Sequence, residues 1–309
     1  MTKRALLSLI ILFGLIQGKL LAQNQIFSPI DCDTCSDEIS KVKRFQDLKF
    51  QFNKDFSKSN FENTYRLLDT INAEFNQSYL SQIFPEIVHL GLKLNDSLLW
   101  QNTIDDFIKN ALWDKNTTKS LLKKNSILEL DSTGLTASYI EKKFNQLFSS
   151  EISKLPEEEL IDQLFWIKAI WQRDQDYRRY YTQNKLNDSS PDSVLWYFDN
   201  LNIESVISFI ANHGYPKFAM GTYCFNLVLL HMNKPDILNK ETFNQLNVSI
   251  WNSVVLGDTK LSDYCYIVDR YLVNNLKERP IYGLFYPDDV STKTINNCYQ
   301  NRNKLGLRL

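Results

Sequence analysis

Apolar residues recur along this chain at steps of three and four, and little interrupts them: its 309 residues hold only 9 glycines and 8 prolines, several placed where a helix should stop. A period near 3.6 gives each segment one apolar stripe, and a stripe is buried only by packing against another element. The chain is therefore expected to be all-α, a multi-helix globular array with few hairpins. In the first half the period is clearest at Leu67, Leu68 and Ile71 before Phe75, and again at Leu80, Ile83, Ile87, Leu90 and Leu94. Pro85 is expected to kink the second of these, because proline removes a helical hydrogen bond.

Helices are expected from Thr118 to Leu128, from Ile140 to Phe148 and from Glu157 to Tyr181. The last is the best signposted. Pro156 suits a first helical turn, three glutamates follow it, and Arg178 and Arg179 favour the negative end of the dipole. Ser190-Pro191-Asp192 opens a helix through Phe198, Asn202 is placed to cap the next one, and Gly214 ends it before Pro216. Further helices are expected from Met220 to Met232, from Lys240 to Val255 and from Leu261 to Leu276. The segment from Ile281 to Pro287 is short, aromatic and expected to be extended. Asp289 is placed to cap a final helix that Gly306 terminates.

The first residues have the pattern of an export signal: Lys3 and Arg4, an apolar run from Ala5 to Ile16, and Leu20-Leu21-Ala22 with a small residue at the cleavage point. The run is shorter than the roughly 20 residues a membrane span needs, so no span is expected after processing. The chain divides into a signal peptide (1–22), an N-terminal helical region (23–150) and a C-terminal helical domain (151–309), destined for the periplasm or the extracellular space. Removing Lys3, Arg4 and Lys19 leaves 32 basic residues against 36 acidic ones, a net charge of −4. That balance argues against nucleic acid as a partner.

Five cysteines in an exported chain allow up to two disulfides and one leftover thiol. Cys32 and Cys35 form a C-x-x-C, but acidic neighbours raise a thiol's pKa and no strand-then-helix pattern surrounds them. They read as a local disulfide or as two inert thiols. Zinc would need a second ligand pair, which is missing. Neither a metal nor a cofactor is expected.

Charged residues in the C-terminal half fall on stripes that should be apolar. Leu160, Leu164, Ile167 and Trp171 lead directly to Asp174 and Arg178, with Gln175 beside them. Met220, Cys224 and Leu227 share a stripe with His231. Cys265, Val268, Leu272 and Leu276 surround Asp269, and Arg270 is next to it. Unpaired buried charge is too costly to persist, so three such helices suggest one shared polar centre.

The order Asp174-Gln175-x-x-Arg178, Gly214-x-Pro216, Gly221, His231, Asp269-Arg270, Tyr282-Gly283 and Arg302 with Gly306-Leu307 resembles the bacterial domain of unknown function family 6624. The resemblance covers roughly the C-terminal half and rests on order and spacing. It adds Tyr282 and Arg302 to the candidate ligand-binding residues Arg178, Gln175 and Arg270. In that family a glutamine usually precedes the histidine and Thr-Gln usually follows Tyr-Gly; here Leu230 and Leu284-Phe285 stand instead. The family brings no activity with it.

Two functions fit these residues. One is a noncatalytic exported binding or envelope-associated protein whose polar centre is a structural network. The other is a small-molecule or hydrolytic enzyme, with His231 as general base or acid, Asp269 or Asp174 orienting it, and Arg178, Arg270 or Arg302 holding a small anionic ligand. The chain shows no nucleophile motif, Gly-rich phosphate loop or metal-ligand triad, which favours the first.

Mass spectrometry of the fractionated protein is expected to find a mature N-terminus at or near Gln23. An intact Met1 recovered from the cytoplasm would remove the export reading.

Overall fold

A computed structural model describes residues 36–110, 134–149, 158–184, 191–216, 222–231, 238–286 and 290–308. The expected signal peptide, the Cys32 and Cys35 pair, and the helix from Thr118 to Leu128 lie outside them. Among the described residues the fold is all-α, with no strand. The first region supplies α1 (Ser36–Ser57), α2 (Phe61–Glu74), α3 (Gln77–Leu80), α4 (Phe84–Lys93), α5 (Ser97–Asn110) and α6 (Leu135–Ser149). The second supplies α7 (Glu158–Asn184), α8 (Pro191–His213), α9 (Thr222–His231), α10 (Lys240–Leu256), α11 (Leu261–Tyr271) and α12 (Thr292–Lys304). None of these helices is long and apolar enough to cross a membrane.

Helix α1 joins the two regions because one stripe serves two cores. Ile39 and Val42 pack with the residues of α7 to α11, while Phe45, Leu48 and Phe52 pack against α2, α3 and α4. A third cluster, from α4, α5 and α6, centres on Phe84 stacked on Phe107 with ring centroids 4.0 Å apart. Burying such rings contributes on the order of 1.5–3 kcal/mol each.

The regions also meet at the carboxyl end of α10, where a helix leaves carbonyls without partners of its own. Side chains far away in sequence supply the donors. Tyr79 Oη donates to the carbonyls of Val254 at 3.2 Å and Val255 at 2.8 Å, and Lys41 Nζ donates to Val255 at 3.1 Å. Asn76 Nδ2 reaches Leu256 O at 3.1 Å and Gln82 Nε2 reaches Gly257 O at 2.8 Å. Gly257 ends α10 with φ +87°, and a Cβ there would lie 2.5 Å from the Tyr79 ring. Glycine is thus required both for the left-handed backbone and for the approach of the tyrosine.

Four local expectations are corrected. Pro85 does not kink a helix; it occupies the first turn of α4, entered through a 3-10 turn at Ser81–Ile83, where a missing N–H costs nothing. Asn202 caps no helix, because α8 runs unbroken from Pro191 to His213 and Asn202 is fully buried within it. The cap of α12 is Ser291, whose Oγ accepts from Thr294 N at 3.3 Å; Asp289 lies outside the described residues. The segment after Pro280 is not extended. It bends through residues 281–285, with Gly283 at φ +66°.

The three cysteines at 224, 265 and 298 are buried and free, so a framework of two disulfides is not formed. Burial pushes the Cys224 thiol up to about 12, leaving it protonated and inert at neutral pH.

Replacing Gly257 by alanine is expected to cost about 2–4 kcal/mol, from backbone strain plus displacement of Tyr79. Tyr79→Phe, which keeps the ring and removes one hydroxyl donor shared by two carbonyls, while Val254 O keeps Gly257 N and Val255 O keeps Lys41 Nζ, is expected to cost about 0.5–1.5 kcal/mol. Urea denaturation of both variants checks the order of the two effects.

Candidate functional site

The stripe of α7 buries Ile167 and Ile170 and continues, one turn later, into Asp174, whose side chain is fully buried. Three donors converge on that carboxylate. Arg178 Nε donates to Oδ1 at 2.9 Å, Gln175 Nε2 donates to Oδ2 at 2.7 Å, and His231 Nδ1 lies 2.7 Å from Oδ2. Helix α9 packs on α7 and ends at His231, which brings the imidazole across 57 residues of sequence.

Arg178 has a second carboxylate. Its Nη2 donates to Asp199 Oδ1 of α8 at 2.6 Å, so one guanidinium fork ties α7 to α8 while Asp174 ties α7 to α9. Charge-assisted bonds of this length are roughly twice as strong as neutral ones. Beside them the rings of Tyr177 and Phe198 pack with centroids 4.5 Å apart. One turn further along, Arg173 Nε donates to the buried Asn202 at 2.6 Å, and its Nη2 donates to Ser205 Oγ at 2.9 Å and to Leu201 O at 3.3 Å. This helps explain why Asn202 is tolerated inside a helix: an arginine on the facing helix satisfies its amide oxygen.

Asp269 does not join this cluster. Its Oδ1 accepts the backbone N–H groups of Ile281 and Tyr282, each at 2.8 Å, and its Oδ2 accepts that of Leu284 at 2.7 Å. Burial pushes this carboxyl above the ordinary carboxylate value, while the N–H groups of Tyr282, Leu284, Ile281 and Phe285 pull the other way by favouring the charged form. The same loop is held from its far side by α12. Cys298 Sγ donates to Pro280 O at 3.2 Å, Asn301 Nδ2 to Ile281 O at 3.1 Å, and Arg302 Nη1 to Gly283 O at 3.3 Å. The loop bends because its backbone groups are answered by side chains on both sides instead of by a neighbouring strand.

The expected shared polar centre is therefore two clusters. Asp174, Gln175, Arg178 and His231 come together, while Asp269, Tyr282 and Arg302 form a separate clamp in which Tyr282 is a core residue. Arg270 is directed elsewhere, with its guanidinium over the Phe285 ring at 5.6 Å from the centroid. Two contributors escaped the sequence reading, Asp199 and Arg173. Asp199 was detectable: together with Asn202, Ile203, Val206 and Phe209 it forms a buried stripe at steps of three, one, three and three. The helix break expected between Phe198 and Asn202 hid that stripe. Among the described residues no group of three or more His, Cys, Asp or Glu side chains could hold a metal ion.

No family model, no curated protein and no solved structure matches the chain.

Arg178→Ala is expected to cost about 2–4 kcal/mol, a little under the usual figure for breaking a buried pair because the guanidinium is partly exposed. The loss comes from stranded carboxylates, so adding Asp199→Asn to Arg178→Ala is expected to recover part of it. Chemical denaturation of the single and double variants checks this. Losses below about 1 kcal/mol throughout would mark an ordinary surface pair.

Proposed function

We propose that this chain is an exported, noncatalytic binding protein of the periplasm or extracellular space, and that Asp174, Arg178, Asp199 and His231 frame its site. The observation that carries the reading is the way Arg178 is used. Its Nε and Nη2 are committed to two carboxylates of the protein, Asp174 and Asp199. Hydrolytic catalysis needs donors aimed at charge that develops on the substrate, and an arginine already neutralising two buried acids is poorly placed for that. The other two candidate arginines face other groups. Arg302 holds the Gly283 carbonyl and Arg270 lies over Phe285. The C-terminal resemblance to family 6624 belongs to this proposal as a relationship, without an activity attached.

One observation favours a hydrolytic enzyme instead: His231 Nδ1 lies 2.7 Å from Asp174 Oδ2, the geometry of a carboxylate orienting a general base. The noncatalytic reading expects 4-nitrophenyl acetate hydrolysis by wild type and by His231→Gln to agree within about twofold. A drop of about 100-fold or more on removing the imidazole is the scale of general-base catalysis, and would replace the binding reading with the enzymatic one.

A further inference from the structure

We propose that Lys49 is a nucleophilic amine that captures a small aldehyde as an imine, at the junction of α1 with α4 and the start of α11. The inference goes beyond the binding reading above and uses none of its residues. Its first support is position. Phe45, Leu48 and Phe52 bury the stripe of α1 in one core with Ile83, just before α4, and with Ile87 and Leu90 inside it. Lys49 falls on that stripe, between Phe45 and Phe52 at helical steps. Glu86 has the same relation to Ile83 and Leu90. Both charged residues are half-buried. Among the described residues Lys49 donates no hydrogen bond, and Glu86 Oε2 is buried without a hydrogen-bond partner.

The second support is the cluster of charges around the amine. An ammonium carries three donors, and holding it where acceptors are missing favours the neutral form. Burial pushes Lys49 below the ordinary lysine value, the charge of Lys260 pushes the same way, and Glu86 and Asp263 push against them. A neutral amine keeps the lone pair that attacks a carbonyl carbon. Lys260 and Asp263 stand at the start of α11, where Asp263 Oδ2 accepts from Asn226 Nδ2 at 3.2 Å. The two carboxylates disfavour an arriving anion, and an uncharged carbonyl escapes that repulsion. The nitrogen lone pair adds to the carbonyl carbon, and the two amine protons leave with the carbonyl oxygen as water. The neutral imine that remains carries no N–H, so it has no donor left to satisfy.

The test uses the full chain and needs no variant. Limiting propionaldehyde is added at pH 7 with cyanoborohydride, which reduces the imine to a stable secondary amine, and mass-spectrometric peptide mapping reads the adduct at each lysine. Lys54, exposed on the same helix, is the internal reference. Lys49 is expected to be labelled about fivefold or more faster than Lys54. As pH is raised, the Lys49 rate is expected to level off before that of Lys54, because an amine pushed downward is fully deprotonated sooner. In concentrated urea, which removes the junction, the two are expected to react alike. Equal labelling in the native protein, no labelling of Lys49, a preference that survives urea, or a Lys49 rate that levels off no earlier than that of Lys54 would each overturn the inference. Comparison of ester hydrolysis by wild type and His231→Gln reads the imidazole alone, so the two readings fail separately.

Discussion

The arrangement of this molecule depends on how the carboxyl end of α10 is satisfied. Carbonyls at a helix end must find donors, and leaving one buried without a partner costs on the order of 1–3 kcal/mol. Here the donors are Lys41, Asn76, Tyr79 and Gln82, all from the first region and all 175 or more residues away. The first region is in this sense the C-terminal cap of a helix in the second. Gly257 makes the arrangement possible by leaving room for the Tyr79 ring, and α1 reinforces it by burying one stripe in both cores.

Helical class and most helix positions were legible because they are local properties. The 3.6 period at Leu68 and Ile71, or at Val268 and Leu272, reports burial whatever the partner is. Termination at Gly214 and Gly306 was equally local, each taking positive φ at a helix end. What failed was punctuation by polar residues. Asn202 looks like a cap, and only the facing Arg173 explains why it can sit inside α8. Pro85 looks like a kink until the 3-10 turn before it places the proline in a first turn. The first error concerns a residue whose meaning is set by a partner in another element, the second a residue whose meaning is set by the turn that precedes it.

The candidate site divides along the same line. Charges on apolar stripes drew attention to Asp174, Arg178, His231 and Asp269, because the stripe is a local signal. Which charges share a partner is not local. A carboxylate can meet a histidine on another helix or fold a following loop around itself, and the sequence of Asp269 does not distinguish these until the N–H groups of Ile281, Tyr282 and Leu284 are seen converging on it. The two clusters are built from the same residue types for different ends. One links three helices through side chains, and the other pins a loop that has no regular structure of its own.

The capping of α10 also orders events in time. During synthesis α1 to α4 emerge first, carrying the donors Lys41, Asn76, Tyr79 and Gln82, while the carbonyls from Val254 to Gly257 do not yet exist. Domains that form early on a growing chain ordinarily close around local contacts. This chain must keep one face of its first helices waiting until the last fifth of its length is made, and contacts so distant in sequence are slow to find. Its completion is therefore a late, cooperative step, and a nascent chain held short of Gly257 lacks the surface on which its own first half is finished.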